Sequence, residues 1–150
     1  MAAPVYGKQY IRFAESFRVA EGTAVREFRV VQLAGAPGDH PPLLVVESNG
    51  AGSVVGVSQY DVNDNVPPTG FATDRVRMLT VATSGLLLVS AEAGANVPVA
   101  GDIGAPLEVN ATGQAVTTGA GTAVLVNATA PVIRDVIAIG GVDYVLVSFS

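Results

Sequence analysis

Short runs of apolar, β-branched residues recur along the whole chain, with turn signals about every 8–12 residues. Valine is the most frequent residue, at 26 of the 150 positions, and 17 glycines and 9 prolines supply many of the breaks. β-Branched residues favour strands, while glycine and proline favour tight turns. Spacing of this kind is typical of an all-β sandwich or barrel. The sequence therefore predicts a compact barrel or sandwich of about ten short strands.

Individual strands and turns can be placed from the same pattern. Arg26–Leu33 reads as one strand, and Gly140-Gly141 marks a hairpin between the last two strands. The alternation of Arg75–Thr83 predicts a strand that ends at a Ser84-Gly85 turn, with Leu86–Ala91 as the next strand. No amphipathic run of ten residues follows residue 20, so an α/β enzyme fold is not predicted.

The chain carries little charge for its length. Hydrophobic residues make up 49% of the sequence and charged residues 14%, against about 25% charged in a typical globular domain. The apolar runs, such as Leu86–Val89, fall far short of the ~20 residues of a membrane helix. We therefore expect no membrane partner. The low charge predicts instead that other protein chains cover part of the surface.

Charge and aromatic residues are unevenly placed. Residues 1–30 have a net charge of +2 and residues 31–150 a net charge of −7, and five of the nine aromatic residues lie in the first 30 positions. A nucleic-acid surface would be far more basic, so we expect no nucleic-acid partner. The contrast predicts an N-terminal arm, residues 1–25, followed by a single β domain, residues 26–150.

The arm is predicted to be extended because Ile11, Phe13, Phe17 and Val19 share one face at a period of two, although Phe13 and Phe17 also fit a helical spacing. Two interpretations stay open at this point. The arm docks on an acidic protein surface, or it is a first strand whose aromatic side chains belong to the core. The candidate contact residues are the aromatic and basic ones: Tyr6, Lys8, Tyr10, Arg12, Phe13, Phe17 and Arg18.

Catalytic signatures are absent from the sequence. Cysteine does not occur, and the single histidine, His40, lies between Asp39 and two prolines, which is typical of an exposed loop. No phosphate-binding glycine loop or nucleophile elbow is present. We therefore expect a protein that is not an enzyme and that needs no cofactor.

One polar run resembles a metal-binding motif. Asp61–Pro68 is similar to the D-x-N-D-N-x-P calcium linker of cadherin repeats, and hard oxygen ligands of this kind suit Ca²⁺. The further acidic motifs that complete a cadherin calcium cage are missing, so a polar turn is the favoured interpretation and no metal is predicted. A calcium-dependent, cadherin-like binding or adhesion module is the alternative function. Its ligands would be Asp61, Asn63, Asp64 and Asn65.

Patterns of glycine and valine recur across residues 26–149, within Phe28–Leu33, Val54–Asp61, Val76–Val81, Gly85–Val89, Val99–Leu107, Thr112–Val116 and Gly140–Val147. In these degenerate patterns the chain resembles the head decoration, or cement, proteins of tailed bacteriophages. This resemblance implies a structural virion protein without catalytic activity, which binds the major capsid protein at the outer capsid surface and stabilises the head. It also implies a homo-trimer.

Overall fold

The structure is a computed structural model and describes residues 9–19, 23–34, 43–62 and 78–150. These residues form ten β-strands, one short 3-10 helix (Ala100–Asp102) and no α-helix, so the prediction of an all-β fold is confirmed. None of them belongs to a helix long and apolar enough to cross a membrane. The strands are β1 (Tyr10–Val19), β2 (Val30–Leu33), β3 (Leu44–Glu47), β4 (Val54–Ser58), β5 (Met78–Ser90), β6 (Glu108–Val109), β7 (Ala115–Val116), β8 (Thr122–Ala123), β9 (Val132–Ile139) and β10 (Val142–Phe149).

Five of the strands close into a barrel. Their order around it is β1-β3-β2-β4-β5, and β5 pairs in turn with β1. The β1–β3 pair is parallel and short, whereas the other four pairs are antiparallel. The first core cluster is formed by side chains from these strands and the loop after β1: Phe17, Val19, Val25, Val31, Val45, Leu79 and Val81.

A second core lies outside the barrel. The later half of β5 pairs with β10, and β10 pairs with β9, while β6, β7 and β8 form a separate small sheet. Side chains from both sheets meet in one buried cluster that includes Leu87, Leu107, Val109, Ile133 and Val147. The 13-residue strand β5 therefore contributes to both cores.

The predicted turn at Ser84-Gly85 is wrong, because β5 is one continuous strand through both residues. The strand continues through this position, where Gly85 has φ +125°, a conformation that other residues rarely adopt. A Cβ atom there would overlap the carbonyl oxygen of Tyr10 on the neighbouring strand. The pairing register of β1 also shifts between Ile11 and Phe13, as in a β-bulge.

β2 begins later than the sequence predicts. Phe28 has φ 57°, which is a left-handed conformation, so the strand starts at Val30 and not at Arg26. The unusual backbone is held from both sides, since the Phe28 N–H donates to the Ser58 carbonyl at 2.9 Å and the Phe28 carbonyl accepts from the Ser90 N–H at 2.7 Å. The buried ring packs edge-on against Tyr144, with 5.8 Å between the ring centroids.

Candidate docking surface

The structure separates the predicted contact residues into exposed and buried ones. The first seven residues of β1, Tyr10–Ser16, are all exposed, whereas Phe17 is 6% exposed and lies in the barrel core. Arg18 is half-buried, and Tyr6 and Lys8 lie outside the described residues. The core interpretation therefore applies to Phe17, and the docking interpretation stays a prediction for the exposed residues of β1.

The exposed half of β1 carries a cluster of large side chains. Tyr10 is 69% exposed and Phe13 62% exposed, and Ile11 is exposed between them. The Arg12 guanidinium carbon lies 5.8 Å from the centroid of the Phe13 ring, which is the geometry of a cation–π contact. We call Tyr10, Ile11, Arg12 and Phe13, together with the exposed Leu86 that pairs with Tyr10, the β1 surface.

A groove of about 540 Å³ lies beside the β1 surface. Phe17 and Val55 line it from the barrel core, and Val54 and Val126 line it from the second core. The groove is therefore built where the two cores meet. Its remaining lining residues are Arg12, Phe13, Ala14, Glu15, Thr83, Ser84, Asn127 and Ser150.

A strained turn forms one rim of this groove. Val126 and Thr129 exchange two backbone hydrogen bonds of 2.9 Å, and the two residues between them have left-handed backbones, with φ 50° at Asn127 and 63° at Ala128. Left-handed φ at two successive residues is the requirement of a type I′ turn. Asparagine tolerates this conformation, but alanine adopts it at a cost of about 1 kcal/mol.

A second feature, which the sequence interpretation did not single out, is the buried carboxylate of Asp102. It accepts hydrogen bonds from the Val99 N–H at 2.8 Å, the Thr117 hydroxyl at 2.8 Å and the Thr118 N–H at 3.2 Å. Burial alone would raise the pKa of Asp102, but these hydrogen bonds together hold it below its ordinary value. The carboxylate ties the 3-10 turn, with its exposed Val99 and Ile103, to the loop before β8.

The calcium motif lies mostly outside the described residues, which include only Asp61 and Val62 of it. The Asp61 carboxylate accepts a hydrogen bond from the Glu27 N–H at 2.7 Å, which ties it to the loop before β2. Asn63, Asp64 and Asn65 lie outside the described residues, as does His40. The described part of the chain contains no group of three or more His, Cys, Asp or Glu residues placed to hold a metal ion.

Fold and surface together define a small all-β domain with two cores and an exposed, aromatic and basic strand. Among solved structures, the chain is similar to the N base of the head fiber gp8.5 of bacteriophage phi29, with a TM-score of 0.54 and 13% sequence identity. The match covers 91% of this chain and 93% of that chain. At this identity the likeness shows a shared fold. No protein-family model matches the chain, and no curated protein does.

Proposed function

We propose that this chain is a structural protein of a tailed-phage virion, which binds the outer surface of the head through the β1 surface. The observation that carries this proposal is the fold match along nine-tenths of the chain to the base of a phage head fiber. In this role the major capsid protein is the partner, and the contact stabilises the head as a decoration protein does. The chain acts as a homo-trimer and catalyses no reaction.

The β1 surface has the composition of a protein contact site. Tyrosine, arginine and phenylalanine are enriched at interfaces, and tyrosine and arginine in particular are frequent hot spots. Tyr10 and Phe13 are more exposed than the other large apolar side chains in the described residues. The cation–π contact between Arg12 and Phe13 orients the charge before binding, so less side-chain freedom is lost in the complex.

Point substitutions test this proposal better than deletion of the predicted arm, because β1 supplies Phe17 and Val19 to the barrel core. The double variant Tyr10→Ala/Phe13→Ala changes two exposed side chains only. We expect it to bind heads prepared without the protein at least about 30-fold more weakly in co-sedimentation, the effect of losing one hot spot of about 2 kcal/mol. Its thermal unfolding midpoint should match that of the wild type.

Val142→Ala is the matched control, because Val142 is an exposed apolar residue at the tip of the β9–β10 hairpin. This tip lies beyond the Tyr144–Ser90 end of the β5–β10 pairing, whereas β1 pairs with β5 no further than Leu86. It should bind heads like the wild type. Full binding by the Tyr10→Ala/Phe13→Ala variant would show that the β1 surface is not the contact. Sedimentation of the free protein tests the trimer separately.

A further inference from the structure

The groove beside the β1 surface is large enough to hold side chains of one extended segment. Its volume of about 540 Å³ falls within the range of sites that hold a small ligand or a few side chains. Four of its lining residues are apolar side chains contributed by the two cores, namely Phe17, Val54, Val55 and Val126, and we call these four residues the floor. Because these residues belong to packed cores, the floor is formed before any ligand binds.

Two side chains of opposite charge line this groove. Arg12 and Glu15 both line it, three positions apart on β1. Neither side chain makes an ion pair with another described residue. Both residues are exposed, so a ligand that covers the floor meets the two charges at its edge, where a group of opposite sign is favoured and a like charge is disfavoured. The groove therefore favours a ligand that supplies one acidic and one basic group.

A second copy of this chain does not fit the groove through its own β1. That strand carries the same two charges, but it is paired with β5 from Tyr10 to Arg18. It would arrive as a two-stranded ladder with side chains on both faces, about 10 Å thick. An extended segment that belongs to no sheet can enter the groove with its side chains alone.

We propose that the groove binds an extended segment of the head's shell protein, in which apolar side chains lie between one acidic and one basic residue. The acidic group pairs with Arg12, the basic group pairs with Glu15, and the apolar side chains cover Val54, Val55 and Val126. This proposal rests on the proposed function and adds to it the chemistry of the partner segment. Its specific consequence is that the order of the two charges matters, and not only their sum.

Charge reversals test that consequence. In co-sedimentation with heads we expect Arg12→Glu and Glu15→Arg each to bind about tenfold more weakly, and the double variant Arg12→Glu/Glu15→Arg to bind most weakly. The double variant has the net charge of the wild type. A surface attracted to the head by net charge alone would instead bind more tightly or unchanged after Glu15→Arg, so that result would overturn the proposal. Arg134→Glu, on β9, is the control with an equal charge change.

Parallel measurements separate this proposal from the proposed function. If Tyr10→Ala/Phe13→Ala loses binding while Glu15→Arg keeps it, the β1 surface docks on the head and the groove proposal is overturned, because Glu15 lines the groove but is not part of the β1 surface. If none of these variants loses binding, the proposed contact itself is wrong. If the charge reversals instead convert an oligomer of the free protein to monomers in sedimentation, a second copy occupies the groove and the proposal is overturned.

Discussion

At the scale of single residues, the period-two pattern of β1 did not predict which side chains are buried. The pattern puts Phe13 and Phe17 on the same face, yet only Phe17 lies in the core. The pairing of β1 with β5 shifts in register on both sides of Phe13, so the period of two is interrupted there by contacts with a strand far along the chain. The sequence therefore predicted which residues belong to the candidate site, but it did not predict which of them are exposed.

Ala128 has a left-handed backbone conformation that is unfavourable for alanine. Its φ of 63° disfavours any side chain with a Cβ atom, and Ala128 itself is exposed. Ala128→Gly should raise the free energy of unfolding by about 1 kcal/mol, measured by chemical denaturation. Ala138→Gly, at an exposed strand position of β9, should lower it instead. Equal losses of stability in the two variants would contradict the turn assignment.

Asp102 should make stability depend on acid pH. Its pKa is lowered in the folded protein, so the unfolded chain binds more protons in the acid range. The stabilisation is present above about pH 4, the ordinary pKa range of an aspartate, and is lost as the pH falls through the lower, folded pKa. Asp102→Asn should lower the free energy of unfolding by about 2 kcal/mol at pH 7. It should also make the free energy of unfolding fall less steeply below pH 4 than in the wild type, as measured by denaturation at several pH values.

Thr117→Val provides the comparison for this prediction, since it removes one of the three hydrogen-bond donors to Asp102 and leaves the carboxylate in place. It should lower stability in the same direction by a smaller amount. An Asp102→Asn variant with the acid dependence of the wild type would show that the hydrogen bonds do not favour the charged form.

At the scale of the elements, the hairpin of the last two strands was predictable from sequence and the more distant pairings were not. Gly140-Gly141 located the turn between β9 and β10, because turn dipeptides and β-branched residues act locally. The choice between barrel and sandwich depends on β1 pairing with β5, which is far along the chain and leaves no local signal. The same reason explains the error at Ser84-Gly85, where a glycine typical of a turn lies within one strand, close to the backbone of β1.

Gly85→Ala tests the effect of that close approach. The added Cβ atom would overlap the Tyr10 carbonyl and meet a φ of +125°, so we expect a loss of about 3 kcal/mol or more and weaker protection of the β1 amides in hydrogen exchange. Gly94→Ala is matched, because Gly94 has φ +98° and open space around it. Gly94→Ala should lower the free energy of unfolding by only about 1 kcal/mol, because its added Cβ atom meets the unfavourable φ but no neighbouring atom. Similar losses in both variants would rule out the close approach to Tyr10 as the cause.

At the scale of the whole molecule, the barrel and the second core are joined by shared residues. β5 contributes Leu79 and Val81 to one core and Leu87 and Val89 to the other. The buried Arg29, whose pKa is lowered mainly by burial, donates two hydrogen bonds of 3.1 Å to Thr112, across from the barrel to the loop before β7. The candidate groove depends on this junction, which is why sequence patterns within single strands could not predict it.

The shared strand predicts a single unfolding transition for the described parts of the chain. Leu79 in the barrel core and Leu107 in the second core are both fully buried, so Leu79→Ala and Leu107→Ala should each cost about 2–5 kcal/mol. β5 belongs to both cores, so neither core can stay folded when the other unfolds. Both variants should therefore shift a single calorimetric endotherm to lower temperature. The calorimetric and van't Hoff enthalpies of that endotherm should be equal. Leu125→Ala, at a residue 56% exposed, should shift it little. Two endotherms, each sensitive to one variant only, would mean that the cores unfold independently and that the groove between them is not a rigid site.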